Sequence, residues 1–172
     1  MKERPVMIRP ITPHDIEAVL AINNDAVPAV NSLTTNGLTD IINFSEKAWV
    51  VDEGDKIVGV LIVLGPGESY GSANYTWLAN QFRNFCYVDR IIIADSGKRK
   101  GYGKALYLAL EEHAASTGTE VLLCEVNVEP ENPQSMAFHA SLGWVPFQDR
   151  EHSPNKVVRY FKKLIKSDVE TT

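Results

Sequence analysis

The stretch YVDRIIIADSGKRKGYGKALYLAL, residues 87–110, runs from an apolar segment through a basic glycine loop into an amphipathic segment. Its consecutive isoleucines, residues 91–93, are typical of a strand buried on both faces of a sheet. Apolar residues then recur every three or four positions over residues 102–114, which predicts a helix that begins near Gly101. The first N–H groups of such a helix can bind a phosphate, and a glycine leaves space for it. The stretch therefore predicts an anion-binding turn between a strand and a helix.

Three kinds of glycine loop compete for residues 98–104. A nucleotide-triphosphate P-loop requires G-x-x-x-x-G-K-[ST], but Lys98 stands at its first glycine and Ala105 at its hydroxyl residue. A dinucleotide fingerprint, G-x-G-x-x-G, would start at Gly101 but meets Leu106 at its third glycine, and no βαβ unit precedes it. Once these two motifs are excluded, the pattern that remains is a basic residue, two spacers and Gly-x-Gly. A solvated turn before an ordinary helix is the plain alternative, although four basic residues crowd this loop of an acidic chain.

Composition and charge narrow the classes of function. The 172 residues are consistent with one domain over 1–172 and a core over about 6–164. A formal net charge of −5, with positive charge crowded into one loop, argues against nucleic acid as a partner. Cys86 and Cys124 lie in apolar runs without metal-binding or redox spacing, so we expect buried free thiols, a reducing compartment and no metal site. Without an apolar leader or a run of roughly 20 apolar residues, we expect a cytoplasmic protein that has no membrane contact.

The N-terminal part of the chain predicts helices and a hairpin around a polar connection. The expected elements are a strand at 6–10, a helix at 13–26, a short helix at 38–44 and hairpin strands at 48–52 and 57–64. The connection at 28–39 is rich in small polar residues. It is either a plain surface segment or, with Asn23, Asn24 and Asn31, the lining of a substrate cleft.

Residues 65–84 form an insertion that is longer than ordinary connections and rich in aromatic residues. A short helix expected at 75–82 either covers a substrate cleft or packs onto the core or a homodimer partner. The later elements are expected to be a strand at 121–128, a helix from Asn132 to Gly143, strands at 144–148 and 157–164, and a frayed tail at 166–172. Glu125 and Asn127 share one side of their strand, which is either a solvent-facing edge or a cleft wall.

The basic loop is similar to the pyrophosphate loop of the GCN5-related N-acetyltransferases (GNAT), with Lys98 where that family commonly has Gln or Arg. A second motif of the family is matched by Asn132, Ser135, Phe138, His139, Gly143 and Trp144. Taken alone, Asn132 is equally an ordinary helix N-cap. The resemblance spans about 6–164. It implies the GNAT fold, an α/β (α+β mixed) arrangement in which about four helices flank a central, mostly antiparallel twisted sheet of six to seven strands.

The resemblance also implies an activity and a set of site residues. The activity is direct transfer of an acetyl group from acetyl-CoA to an amine of a small molecule, amino acid or peptide. The implied acetyl-CoA-binding residues are Ile91, Ile92, Ile93, Lys98, Arg99, Lys100, Gly101, Tyr102, Gly103, Lys104, Asn132 and Ser135. Acceptor contacts are expected from Asn23, Asn24, Asn31 and Tyr87. Asp89 is the implied base, and Glu125 is the alternative because it lies on the following strand. His139, which replaces the family's common tyrosine, is the candidate acid.

Each proton-transfer assignment has a plainer alternative. Asp89 is equally a strand residue paired with its neighbour Arg90, and His139 is equally a packing residue on a helix face. A non-catalytic acyl-CoA-binding sensor is the competing function, because the replacement at His139 is compatible with lost chemistry. Neither cysteine has the base that an acyl-carrying nucleophile needs, so no acyl-enzyme is expected.

Overall fold

The computed structural model describes residues 5–166 of the chain. The helices and strands follow one another as β1 Met7–Pro10, α1 Ile16–Asp25, α2 Thr35–Phe44, β2 Lys47–Asp52, β3 Ile57–Leu64, α3 Ala73–Gln81, β4 Phe85–Ile93, α4 Tyr102–Thr117, β5 Val121–Glu129, α5 Pro133–Ser141, β6 Val145–Ser153 and β7 Lys156–Leu164. They divide into two compact units. The first unit comprises 5–64 with Asp89–Leu110, and the second comprises Gly65–Val88 with 111–166. The first half of β4 therefore belongs to the second unit and its second half to the first unit.

The first unit is built on the strand order β1-β2-β3-β4. The ladders of β1 with β2 and of β2 with β3 are antiparallel, with Met7 opposite Asp52 and Ala48 opposite Ile62. Strand β3 is almost wholly apolar, and seven of its eight residues are buried, as expected for a strand inside a sheet. Helices α1 and α2 contact each other and β3, burying Val19 and Leu38.

The second unit is built on the strand order β4-β5-β7-β6. Phe85 of β4 pairs with Val121 of β5 in a parallel ladder. The ladders of β5 with β7 and of β7 with β6 are antiparallel. Large buried side chains from three strands form its core, including Phe85, Leu122 and Tyr160.

Seven strands and five α-helices within 5–166 confirm the expected fold class. Helix α2 begins at Thr35, earlier than expected, because the Thr34 hydroxyl accepts a hydrogen bond from the Gly37 N–H and caps it. Helix α3 begins at Ala73 for the same reason, since the Ser72 hydroxyl accepts from the N–H of Tyr75.

Two expectations about strands need correction. Strand β6 was expected at 144–148 but extends to Ser153, because its polar second half pairs with β7 and carries mostly exposed side chains. The run 91–93 was expected to be buried on both faces, but only Ile92 is buried, while Ile91 and Ile93 are half-buried. The single-domain organisation stays a prediction, and the expected tail lies outside the described residues except for Lys166.

Among the helices of residues 5–166, none has the length and apolar character that crossing a bilayer requires.

Candidate functional site

The loop before α4 has the backbone of an anion-binding turn. Arg99 and Gly101 both adopt the left-handed region, with φ of 65° and 80°. The N–H of Ala105 donates to the Gly101 carbonyl at 3.0 Å. This bond makes Gly101 the residue that precedes the first helical turn, so the N–H groups of residues 102–104 have no acceptor within the helix. A Cβ built on Gly101 would meet no atom within 4 Å, so the turn is open at this residue, and exposed N–H groups at a helix N-terminus are a common binding site for phosphate.

Carboxylates from two segments pair with two of the four basic side chains of this loop. Lys98 pairs with Asp95 at 2.8 Å, and Lys100 pairs with Glu53 of the β2–β3 turn at 2.9 Å. The Tyr102 hydroxyl donates to the same Glu53 carboxylate at 2.6 Å. The hydrogen bond to Glu53 raises the pKa of Lys100. Sequence reasoning missed Glu53, because a hairpin-turn carboxylate gives no local signal of the loop that it contacts.

A cavity of about 850 Å³ lies in the first unit beside the end of β4, where Ile92, Ile93 and Lys98 line it. Another part of its wall is an ion cluster, in which Arg9 donates to Asp15 at 2.7 Å and to Asp52 at 3.0 Å. The hydrogen bond from Arg9 holds the pKa of Asp15 at about 2. The cluster joins β1 to β2 and to the turn before α1, so it fixes this wall of the cavity.

Asp89 is the partner of a buried guanidinium. Arg90 Nε donates to the Asp89 carboxylate at 2.7 Å, and the two side chains are 5% and 4% exposed. Arg90 also donates to the side-chain oxygens of Asn23 at 2.6 Å and Asn31 at 3.0 Å. Asp89 therefore neutralises a buried charge, as the plainer interpretation of the sequence expected.

The predicted acceptor-cleft asparagines hold the α1–α2 connection in place. Asn23 is buried, with 1% exposure, and its amide donates to the Asn31 carbonyl and the Asn24 side chain. The Asn24 side chain accepts from the Leu33 N–H at 2.9 Å and donates to the Leu33 carbonyl at 3.1 Å. These bonds and Arg90 together close the connection between the helices. An acceptor-binding role for the asparagines stays a prediction.

Glu125 lies in a polar network in the second unit. Both of its carboxylate oxygens are 2.8 Å from the Tyr87 hydroxyl, and the Asn74 amide donates to it at 2.9 Å. The Asn74 oxygen in turn accepts from the Tyr160 hydroxyl at 2.8 Å and from the ring of His152. Burial, followed by nearby positive charge, lowers the pKa of His152. In contrast to Asp89, Glu125 thus receives hydrogen bonds from a neutral hydroxyl and a neutral amide.

Helix α3 of the insertion is packed against the second unit's own core. Its Leu78 is fully buried, and the buried Tyr75 hydroxyl donates to the Gly65 carbonyl at 2.7 Å. Trp77 stacks on Tyr160 with 4.8 Å between ring centroids. These contacts agree with the packing interpretation of the insertion. A homodimer interface there stays a prediction.

The Asn132 segment forms a capped helix whose histidine is buried. The Asn132 side chain accepts from the Ser135 N–H at 3.3 Å, as an N-cap does. His139 is 3% exposed and lies 5.4 Å from the ring of Trp144. Its Nδ1 is 2.8 Å from the Ser135 carbonyl, which can only accept, so Nδ1 carries the proton. Burial lowers the pKa of His139, which keeps the ring neutral and leaves Nε2 without a proton to donate.

Both cysteines are free and buried, as expected. Burial raises the pKa of the Cys124 thiol well above its ordinary value, which makes it a poor nucleophile.

Comparisons with known proteins identify the relatives of this arrangement. Residues 18–144, which are about three quarters of the chain, match the acetyltransferase (GNAT) family. Ard1 from Thermoplasma volcanium is similar in structure, with a TM-score of 0.77 and 16% identity over 94% of this chain and 99% of that protein. No curated protein matches the sequence.

Two further structures share the fold at low identity. The ribosomal-protein-S18-alanine N-acetyltransferase from Escherichia coli has a TM-score of 0.72 and 16% identity over 97% of this chain and 98% of its own. NAA60 from Arabidopsis thaliana, in complex with acetyl-CoA, has a TM-score of 0.74 and 13% identity over 93% of this chain and 99% of its own.

Proposed function

Because the chain belongs to the acetyltransferase (GNAT) family, we propose that it transfers an acetyl group from acetyl-CoA to an amine of a small molecule, amino acid or peptide. The observation that carries the proposal is the turn before α4. There, a left-handed Gly101 precedes the first helical turn, and a Cβ built on it would meet no atom within 4 Å. Acetyl-CoA supplies the acetyl group as an activated thioester. The N–H groups and basic side chains of residues 98–104 would bind its diphosphate, and the main chain of Ile91, Ile92 and Ile93 would pair with its pantetheine arm.

We propose Glu125 as the base that takes a proton from the acceptor ammonium. The sequence alone does not choose between Asp89 and Glu125 as the base. Protonating Asp89 would leave the buried Arg90 guanidinium without its charge partner, which is costly. The Glu125 carboxylate is half-buried and accepts from two neutral donors, Tyr87 and Asn74, and protonation of the carboxylate breaks no ion pair with either of them.

His139 has a packing role in this proposal. Its proton is on Nδ1 and bonded to the Ser135 carbonyl, and its pKa is lowered by burial. A neutral ring of this tautomer has no second proton to give. Solvent can protonate the departing thiolate, which is a good leaving group. Transfer is direct in this proposal, because both cysteines are buried and burial raises the pKa of the Cys124 thiol. Free thiols at both cysteines also support a cytoplasmic location.

The test is release of free coenzyme A thiol across a panel of amino acids, peptides and polyamines. We expect turnover with at least one amine, and Glu125→Gln should lower kcat about a hundred- to ten-thousandfold without changing acetyl-CoA affinity. Glu129→Gln, an exposed residue at the end of the same strand, is the matched control. Acetyl-CoA binding without turnover on the whole panel would favour the sensor instead. If Glu125→Gln keeps full turnover and a folded Asp89→Asn enzyme loses turnover, Asp89 is the base.

A further inference from the structure

Asn74 of α3 donates a hydrogen bond from its side-chain amide to Glu125 at 2.9 Å. A carboxylate only accepts, so the NH2 of the amide must face Glu125 and the amide oxygen must face away from it. That oxygen meets the Tyr160 hydroxyl and the His152 ring nitrogen Nε2. Both groups must then donate, which places the proton of neutral His152 on Nε2. Tyr160 and His152 therefore fix the direction in which the Asn74 amide points.

The helix that carries Asn74 is itself firmly held. Trp77, one turn after Asn74, stacks on Tyr160 with an interplanar angle of 5°. Tyr75 and Leu78 on the same helix are 2% and 0% exposed. Asn74 thus approaches Glu125 from a packed helix and not from a mobile loop, so its amide is preorganised.

We propose that Asn74 is a positioning residue for the reaction: its amide orients the Glu125 carboxylate and keeps it ionised, while Tyr160 and His152 orient the amide. The inference rests on the proposed function, because it assumes that Glu125 is the base. A hydrogen bond to the charged form of a carboxylate favours that form. The insertion then contributes to chemistry through this amide.

The charged and titratable groups around Glu125 come from three strands. Tyr87 of β4 and Tyr160 of β7 donate hydroxyl hydrogens within the network. On β6, Arg150 lies 3.4 Å from the Tyr160 hydroxyl and 5.2 Å from the centre of the Trp77 ring. His152 completes the set. Tyr87 still donates to Glu125 when the Asn74 amide is removed, so substitution of Asn74 tests the amide donor while the hydroxyl donor stays in place.

Two substitutions at position 74 separate positioning from packing. Asn74→Asp is nearly isosteric and still accepts from Tyr160 and His152, but it faces Glu125 with a second carboxylate. Asn74→Ala removes the amide without adding charge. A positioning role for Asn74 therefore predicts that Asn74→Asp is less active than Asn74→Ala. Packing predicts the opposite order, because the aspartate preserves shape.

The experiment measures kcat and KM for acceptor and acetyl-CoA against pH in the full-length enzyme. For Asn74→Ala we expect kcat/KM for the acceptor to fall about tenfold at neutral pH, the acid limb of its profile to move to higher pH, and KM for acetyl-CoA to stay unchanged. Asn74→Asp should fall further. Asn80→Ala, at an exposed site on the same helix, should match the wild type.

Tyr160→Phe is the second line of the test, because it keeps the ring that stacks on Trp77 and removes only the hydroxyl that orients Asn74. We expect a smaller loss, of a few fold, with the acid limb displaced in the same direction. A wild-type profile for Asn74→Ala, or more activity in Asn74→Asp than in Asn74→Ala, would overturn the positioning role. If Glu125→Gln instead retains full turnover, the assignment of the base fails, which is a separate result.

Discussion

Replacing Gly101 with alanine tests whether the turn before α4 binds the diphosphate. Gly101 has φ of 80°, and a Cβ placed on it meets nothing within 4 Å. In the free protein the new methyl group therefore causes no clash. Its cost is the left-handed backbone alone, about 1 kcal/mol. In the complex the methyl group would lie where the phosphate approaches the helix N–H groups. Binding should therefore suffer more than folding.

Gly67 provides the matched control for this substitution. It has φ of 84° and likewise no atom within 4 Å of a built Cβ, but it lies in the insertion, away from the basic loop in sequence. Gly67→Ala and Gly101→Ala should each lower the free energy of unfolding by about 1 kcal/mol. Only Gly101→Ala should weaken acetyl-CoA binding, by about tenfold or more, which is 1.4 kcal/mol or more.

Urea unfolding measures the free energy of unfolding, and titration calorimetry measures the affinity for acetyl-CoA. The reasoning fails if folded Gly101→Ala binds acetyl-CoA as tightly as the wild type. It also fails if Gly67→Ala weakens binding equally, because the effect would then come from backbone conformation in general. A large loss of stability in Gly101→Ala would contradict the open space seen at its Cβ position.

Two further predictions concern buried titratable groups. The pKa of Asp15 is about 2, below the ordinary 3.8, so its ion pair with Arg9 stabilises the fold above pH 3.8 and is lost as the pH falls towards 2. Asp15→Asn should therefore lower the free energy of unfolding by about 2 kcal/mol at neutral pH and by less in acid. Urea titrations at several pH values measure this difference. The pKa of His139 is lowered by burial from 6.5, so its contribution is present above pH 6.5 and declines below it. His139→Phe should flatten that decline and retain turnover, whereas a large loss of kcat in the folded variant would restore the general-acid role.

The features that the sequence predicted are those encoded over short distances. Three of these features are the run 91–93, the glycines of the basic loop and the periodic residues after Gly101. Each of them determines backbone structure only within a few residues of its own position. Strand, turn and helix therefore follow from local geometry, and the structure has them as β4, the loop and α4. The Asn132 helix follows in the same way, because an N-cap and a proline at the first helical position are local signals.

Residues that act across the chain gave no such signal. Asn74 and Glu125 are separated by 51 positions, and Asn74 and His152 by 78. Nothing in the composition of the insertion distinguishes an asparagine that reaches a carboxylate from one that faces solvent. Glu53 is similar, since 47 positions separate it from Lys100. Such pairs become visible only when the packing of the strands is known.

The proposal of Glu125 over Asp89 as the base rests on tertiary contacts that sequence spacing does not reveal. Asp89 lies on β4 and Glu125 on β5, and both side chains are carboxylates. Their partners differ, however: a buried guanidinium for Asp89, and a hydroxyl and an amide for Glu125. A base must alternate between charged and neutral forms during each turnover. The Arg90 contact opposes that alternation at Asp89, whereas hydrogen bonds from a hydroxyl and an amide do not oppose it at Glu125. The proposal of Glu125 as the base therefore follows from the hydrogen-bond donors of the two carboxylates and not from their positions on the strands.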